Sequence, residues 1–112
     1  MIYHILPQAI YAAQDTSQPF RADSLESEGF IHCTGAPDLL VWVANRHYRQ
    51  ADGTFVVLCI DPALVTAEVR WEASDGHIFP HIYGPLNWRA VEKVIDFPRS
   101  ADGEFLVPTG LS

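Results

Sequence analysis

The run Thr54-Phe55-Val56-Val57-Leu58-Cys59-Ile60 restricts this chain more than any other feature. It is uncharged, rich in β-branched side chains, preceded by Asp52-Gly53 and followed by Asp61-Pro62. A segment of that composition between turn formers predicts a buried central strand. The chain has 112 residues, 48% of them hydrophobic, the usual size of one domain, in which roughly two-thirds of the unfolded surface is buried on folding. One core and a single domain over residues 1–112 are expected.

Other elements follow from local signals. Ile2-Tyr3-His4-Ile5-Leu6 reads as a short strand, with Pro7 placed to open a helix through Ala9–Ala13. Residues 15–23 read as a surface loop, and Ser24–Glu28 as one helical turn closed by Gly29, with Ser24 and Ser27 as local caps. Phe30–Thr34 has strand composition. Pro37-Asp38 then opens the longest helix, ending near His47, with Leu39, Leu40, Val43 and Ala44 toward the core and Arg46 and Arg49 at its negative end. Glu68–Glu72 alternates as a strand with one wet face. Asp75–Leu86 is dense in Gly, Pro, His and aromatics and reads as an irregular pocket wall. Asn87–Ala90 is a helical turn, Val91–Phe97 a strand, and Asp102-Gly103 a terminal hairpin turn. No internal repeat or low-complexity tract is visible.

Seven Lys and Arg against fourteen Asp and Glu give a formal charge of −7, which repels nucleic-acid backbones and anionic membranes over most of the surface. Arg46, His47 and Arg49 form a local basic segment able to meet one phosphorylated ligand. Cys33 and Cys59 each lie in apolar runs, the setting of buried free thiols in a reducing cytoplasm. The N-terminus has no basic leader and carries His4 and Pro7, unlike a signal peptide. No apolar run approaches the roughly 20 residues that span a bilayer, so a cytoplasmic, non-membrane protein is expected.

Five histidines in or beside apolar segments exceed what a core needs, because each buried imidazole requires partners for two ring nitrogens. His4 and His32 lie mid-strand, and their rings converge if those strands pair. His77 and His81 have an H-x3-H spacing, but Ile78-Phe79-Pro80 cannot form the helical turn that a paired zinc site uses, so no metal is expected. Cys33 reads as core filling, since apolar and acidic neighbours raise a thiol pKa. Glu72 is either a solvated strand residue or a carboxylate stabilising a developing cation. Tyr3, Tyr83 and Trp88 offer flat faces for a ring.

The segments Ile2-Tyr3-His4-Ile5, Glu28-Gly29-Phe30-Ile31-His32-Cys33-Thr34, Ala44-Asn45-Arg46 with Tyr48, Val69-Arg70-Trp71-Glu72 and Phe79–Leu86 together resemble the bacterial domain-of-unknown-function 952 family over nearly the whole chain. That resemblance implies an α+β protein with a compact ADP-ribosyltransferase-like fold: two small, mostly antiparallel sheets, two or three short helices, and a cleft for NAD or a related nucleotide. RNA 2′-phosphotransferases show a similar order of histidine-bearing strands. By this resemblance His4, His32 and Glu72 are the candidate catalytic residues, with Glu92 a weaker choice for the carboxylate. Tyr3, Thr34, Arg46, His81 and Tyr83 are the candidate ligand-binding residues. NAD enters as a candidate substrate, with no resident cofactor assigned. Ile5-Leu6 stands where those enzymes carry Gly-Thr, and a glycine there lets the backbone approach the nicotinamide amide. The departure favours a competing reading, a non-catalytic module binding a small ligand or a protein.

Overall fold

The apolar run becomes the middle strand of a sheet, with all six of its residues buried. The computed structural model describes residues 1–111. In chain order its elements are β1 (Ile2–Pro7), α1 (Gln8–Ala12), α2 (Asp23–Glu28), β2 (Ile31–His32), α3 (Pro37–His47), β3 (Phe55–Ile60), β4 (Glu68–Ser74), β5 (His77–Tyr83) and β6 (Val91–Phe97). Single 3₁₀ turns occur at Pro62–Leu64 and Trp88–Ala90. The strands form two three-stranded antiparallel sheets, ordered β1-β3-β6 and β2-β5-β4. The chain is therefore α+β, with two small sheets and three helices.

Alternation along β3 divides the core into two layers. Val56, Leu58 and Ile60, with Ile2 and Leu6, pack toward Phe20, Ile31 and Ile82 between the sheets. Phe55, Val57 and Cys59, with Tyr3, pack on the opposite face beneath Leu40 and Ala44 of α3 and against Phe97 and Phe105. The first sheet is thus the middle layer, which is why a strand apolar on both faces was required.

Helix α3 carries Pro37 in its first turn and Arg46 and His47 in its last. Its inward row is Leu40, Ala44 and Tyr48, with Val41 beside it, the i, i+4, i+8 set of one helical face. The expected inward position of Val43 is not observed, since that residue lines a cavity beside the sheet. Helix α2 is closed by Gly29 as expected, but neither serine caps it: Ala22 holds the N-cap, and Ser27 Oγ donates back to the Asp23 carbonyl at 3.3 Å.

The largest correction concerns residues 75–86. Instead of an irregular wall, His77–Tyr83 is a regular strand paired residue for residue with β4. Asp75 and Gly76 form the two-residue turn between them, with φ of 52° and 78°, the paired positive dihedrals of a hairpin turn that Asp-Gly sequences favour. Pro80 sits inside this central strand without breaking it because its carbonyl accepts from Cys33 N–H at 3.1 Å just where β2 ends. A proline has no N–H to return, so the β2–β5 ladder stops there.

The histidine-bearing strands β1 and β2 do not form a ladder. They meet at one bridge, in which Tyr3 N–H donates to the Thr34 carbonyl and Thr34 N–H to the Tyr3 carbonyl, both at 2.8 Å. Beyond that pair the two sheets part and leave a cleft.

Arg99 ties down the far end of the molecule. Its Nη1 donates to the carbonyls of Ala51 and Gly53, Nη2 to Arg49 and Nε to Gly103, while the guanidinium lies 4.4 Å from the Phe105 ring centroid. The expected terminal hairpin appears as a single bridge between Arg99 and Phe105. Among the described residues no helix is long and apolar enough to cross a membrane.

Candidate functional site

The cleft is a cavity of about 700 Å³ lined by both sheets and by α3, within the size range of small-molecule sites. Its chemistry is concentrated on one face of the second sheet. Period-two alternation puts His81, Tyr83, Phe79 and Glu72 on that face, because Glu72 lies opposite Phe79 in the ladder. His32 joins them as the cross-strand partner of His81.

Glu72 is the hub. Its Oε1 accepts from the Tyr83 hydroxyl at 2.5 Å and meets His81 Nδ1 at 2.9 Å. These two bonds, Tyr83 first, hold the Glu72 carboxyl below the usual carboxylate range, because both donors favour the ionised form. The same carboxylate pushes the Tyr83 hydroxyl up. Phe30 stacks on His81 with centroids 4.1 Å apart and planes at 20°, and Glu28 Oε2 meets His32 Nε2 at 2.9 Å.

His4 approaches from the first sheet and is only 8% exposed. Its Nδ1 lies 2.6 Å from the His32 carbonyl oxygen. A carbonyl can only accept, so Nδ1 carries the proton and Nε2 the lone pair. Burial lowers the His4 pKa from 6.5 to about 4, which keeps the ring neutral near pH 7. The expected meeting of His4 and His32 therefore occurs, but between ring and backbone rather than between two rings. Cys33 and Cys59 are free and buried. Burial raises the Cys33 thiol pKa far above the range in which a thiolate forms.

A model of the family described as "Protein of unknown function (DUF952)" matches residues 5–94. The chain belongs to the DUF952 family. Among solved structures, the crystal structure of protein CC0527 from Caulobacter crescentus is 30% identical over 94% of this chain and 92% of that one, with a TM-score of 0.80. The solution NMR structure of CC0527 is 32% identical over 96% and 90% of the two chains, with a TM-score of 0.72. No curated protein matches the chain.

In this DUF952 protein, seven of the candidates line the cleft: Tyr3, His4, His32, Thr34, Glu72, His81 and Tyr83. Arg46 does not. It lies over the Trp42 ring at 5.2 Å and 4.0 Å from Asp75, outside the lining, because its position on α3 turns it away from the row that faces the sheet. Trp88 is also elsewhere, packed on Phe20 with its indole N–H donated to the Gln18 carbonyl. Glu92 lies on β6, outside the lining. No group of three or more potential metal ligands occurs among the described residues.

Reading the sequence did not single out Phe30 and Trp42, which also line the cleft, while of the basic segment Arg46, His47 and Arg49 only His47 is in the lining. For Phe30 a signal existed, since it stands two residues before His32 and so shares its face. Nothing local marks Trp42, which enters only because α3 packs across the first sheet.

Proposed function

We propose that this cleft takes the ribosyl end of NAD or a related nucleotide on an ADP-ribosyltransferase-like fold, and that it serves ADP-ribosyl-type transfer. The observation that carries the proposal is the half-exposed Glu72 carboxylate, kept ionised by Tyr83 and His81 at the cavity wall. A fixed negative charge of this kind stabilises the oxocarbenium-like centre that forms as an N-glycosidic bond breaks. The bonding electron pair leaves with the base, which departs as neutral nicotinamide, and an acceptor hydroxyl then attacks the anomeric carbon and loses its proton to solvent. His4 Nε2, an acceptor by its tautomer, suits a ribose hydroxyl.

The test is release of free nicotinamide from NAD by the purified chain. Glu72→Gln is expected to lower that rate by about 10²–10³-fold with unchanged circular dichroism. Equal rates for the variant and the parent would overturn the role of Glu72.

One observation favours a second reading, a non-catalytic binding module on the same fold. Ile5 lines the cleft where the resembling enzymes carry the glycine of their motif, and a branched side chain keeps a ligand off the backbone. Binding of NAD without nicotinamide release would select this reading.

A further inference from the structure

We infer that the ligand favoured by the cleft is a positively charged ribonucleoside without a phosphate, not a dinucleotide. This rests on the reading above only in that the cleft takes the ribosyl end of its ligand; it narrows that ligand to one whose ribose carries no phosphate, so that the group transferred would be ribosyl and not ADP-ribosyl. Three features of the cavity wall support it.

The first is charge. Among the described residues the lining contains no Lys or Arg but three carboxylates, Glu28, Glu72 and Asp75. The two nearest guanidiniums are already engaged. Arg46 pairs with Asp75 at 4.0 Å, and Arg70 pairs with Glu68 at 2.9 Å while lying over the Tyr83 ring. Phosphate and pyrophosphate sites are normally built from Arg, Lys or helix N-termini, and the two helices that reach the lining present later residues, Glu28 at the end of α2 and Trp42, Val43 and His47 of α3, rather than an N-terminus. A phosphoryl group entering here would meet Glu28 and Glu72, whose partners in the lining are histidines and the Tyr83 hydroxyl rather than a guanidinium or an ammonium, whereas a cation would be drawn in.

The second is surface. Phe30, Trp42, Tyr48, Phe79 and Tyr83 are among the lining residues, and Tyr83 and Trp42 each already carry a guanidinium over the ring, Arg70 at 4.3 Å and Arg46 at 5.2 Å, which shows that these aromatic faces hold flat cations. Phe30 is stacked on His81 and lies 5.2 Å from Tyr83, so this aromatic group is fixed in place beside Glu72.

The third is an acceptor without a partner. His4 is more than nine-tenths buried, its Nδ1 is committed to the His32 carbonyl, and Nε2 has no hydrogen-bond partner among the described residues. Among the described residues no fully buried side-chain polar atom lacks a partner, so this nitrogen keeps some exposure, and His4 is part of the cavity lining. A lone pair there accepts a ribose hydroxyl proton and repels a phosphate oxygen. An acidic, aromatic cavity with a fixed acceptor matches a pyridinium or similarly cationic base joined to ribose.

The experiment is calorimetric titration of the intact chain at pH 8, where ordinary imidazoles are neutral, with four probes. These are nicotinamide riboside, its 5′-phosphate, NAD, and the uncharged C-glycoside benzamide riboside. Nicotinamide riboside is expected to bind about tenfold or more tighter than each of the others, and to weaken as salt rises. Glu72→Gln is expected to remove most of its advantage over the C-glycoside. If the phosphate or NAD binds as tightly as the riboside, the phosphate-free inference fails and the nucleotide-handling reading survives. If the C-glycoside equals the riboside, the charge argument fails. If none of the four binds, both the inference and the reading beneath it fall.

Discussion

His4 shows how one side chain acquires a role from its surroundings. The sequence places it mid-strand, but its tautomer follows only from the His32 carbonyl 2.6 Å from Nδ1. Its pKa near 4 lies below the ordinary value of 6.5, so between these values the unfolded chain binds more protons than the folded one. Stability therefore rises with pH across that window and is lost as pH falls through it. The full effect is about 3 kcal/mol at 1.36 kcal/mol per unit. Urea denaturation of the parent and His4→Gln from pH 7 to pH 4 should show the parent losing more stability by up to that amount; parallel curves would contradict the assignment. At Glu72 the first cause of the lowered pKa is the Tyr83 hydroxyl. Tyr83→Phe should therefore raise the Glu72 carboxyl, read by carbon-13 NMR of the side-chain carboxyl, and make the carboxylate-dependent ligand affinity fall off at higher pH than in the parent.

Among the elements, the β4–β5 hairpin and the Arg99 tether organise opposite ends of the molecule. The signal for the hairpin was present in the sequence: Asp75-Gly76 between alternating segments is a strong two-residue turn pattern. It was masked by the density of Gly, Pro and His that follows, and by Pro80, which ordinarily argues against a central strand. What rescues Pro80 is the shortness of β2, a fact of pairing and not of composition. At the other end, Arg99 satisfies four backbone carbonyls across two loops. Arg99→Ala should destabilise by about 2–3 kcal/mol, since bonds to a charged donor are lost and the loop carbonyls must find water; a urea midpoint unchanged from the parent would contradict this. Gly103 has φ of 92°, and a Cβ there would stand 2.8 Å from the Arg49 carbonyl oxygen. Gly103→Ala should cost about 1–2 kcal/mol from the dihedral alone, seen as a lower thermal midpoint with the sheets otherwise intact.

At the scale of the whole molecule, the first sheet is buried on both faces while the second is covered on one and lines the cleft with the other. This difference predicts a gradient of local stability. Amides of Val57, Leu58 and Cys59, all fully buried, should exchange with solvent only on global unfolding, whereas amides of β4, an edge strand with Trp71 57% exposed, should exchange through smaller openings. Hydrogen exchange followed by NMR in rising denaturant separates the two; merging of both sets at low denaturant would contradict the gradient. The amino-acid sequence by itself determined the local elements: the buried strand at 55–60, the helix opened by Pro37, the glycine-closed turn at 29, and the surplus of histidines. These depend on residue type and short spacing, which are properties of contiguous chain. Only the tertiary structure decided which side chains face one another. The single Tyr3–Thr34 bridge parts the sheets, the ladder register sets Glu72 against Tyr83 and His81, and the packing of α3 brings in Trp42 while turning Arg46 out. Those pairings span tens of residues, and no local preference encodes them, because they arise from how whole sheets and helices cover each other's apolar faces.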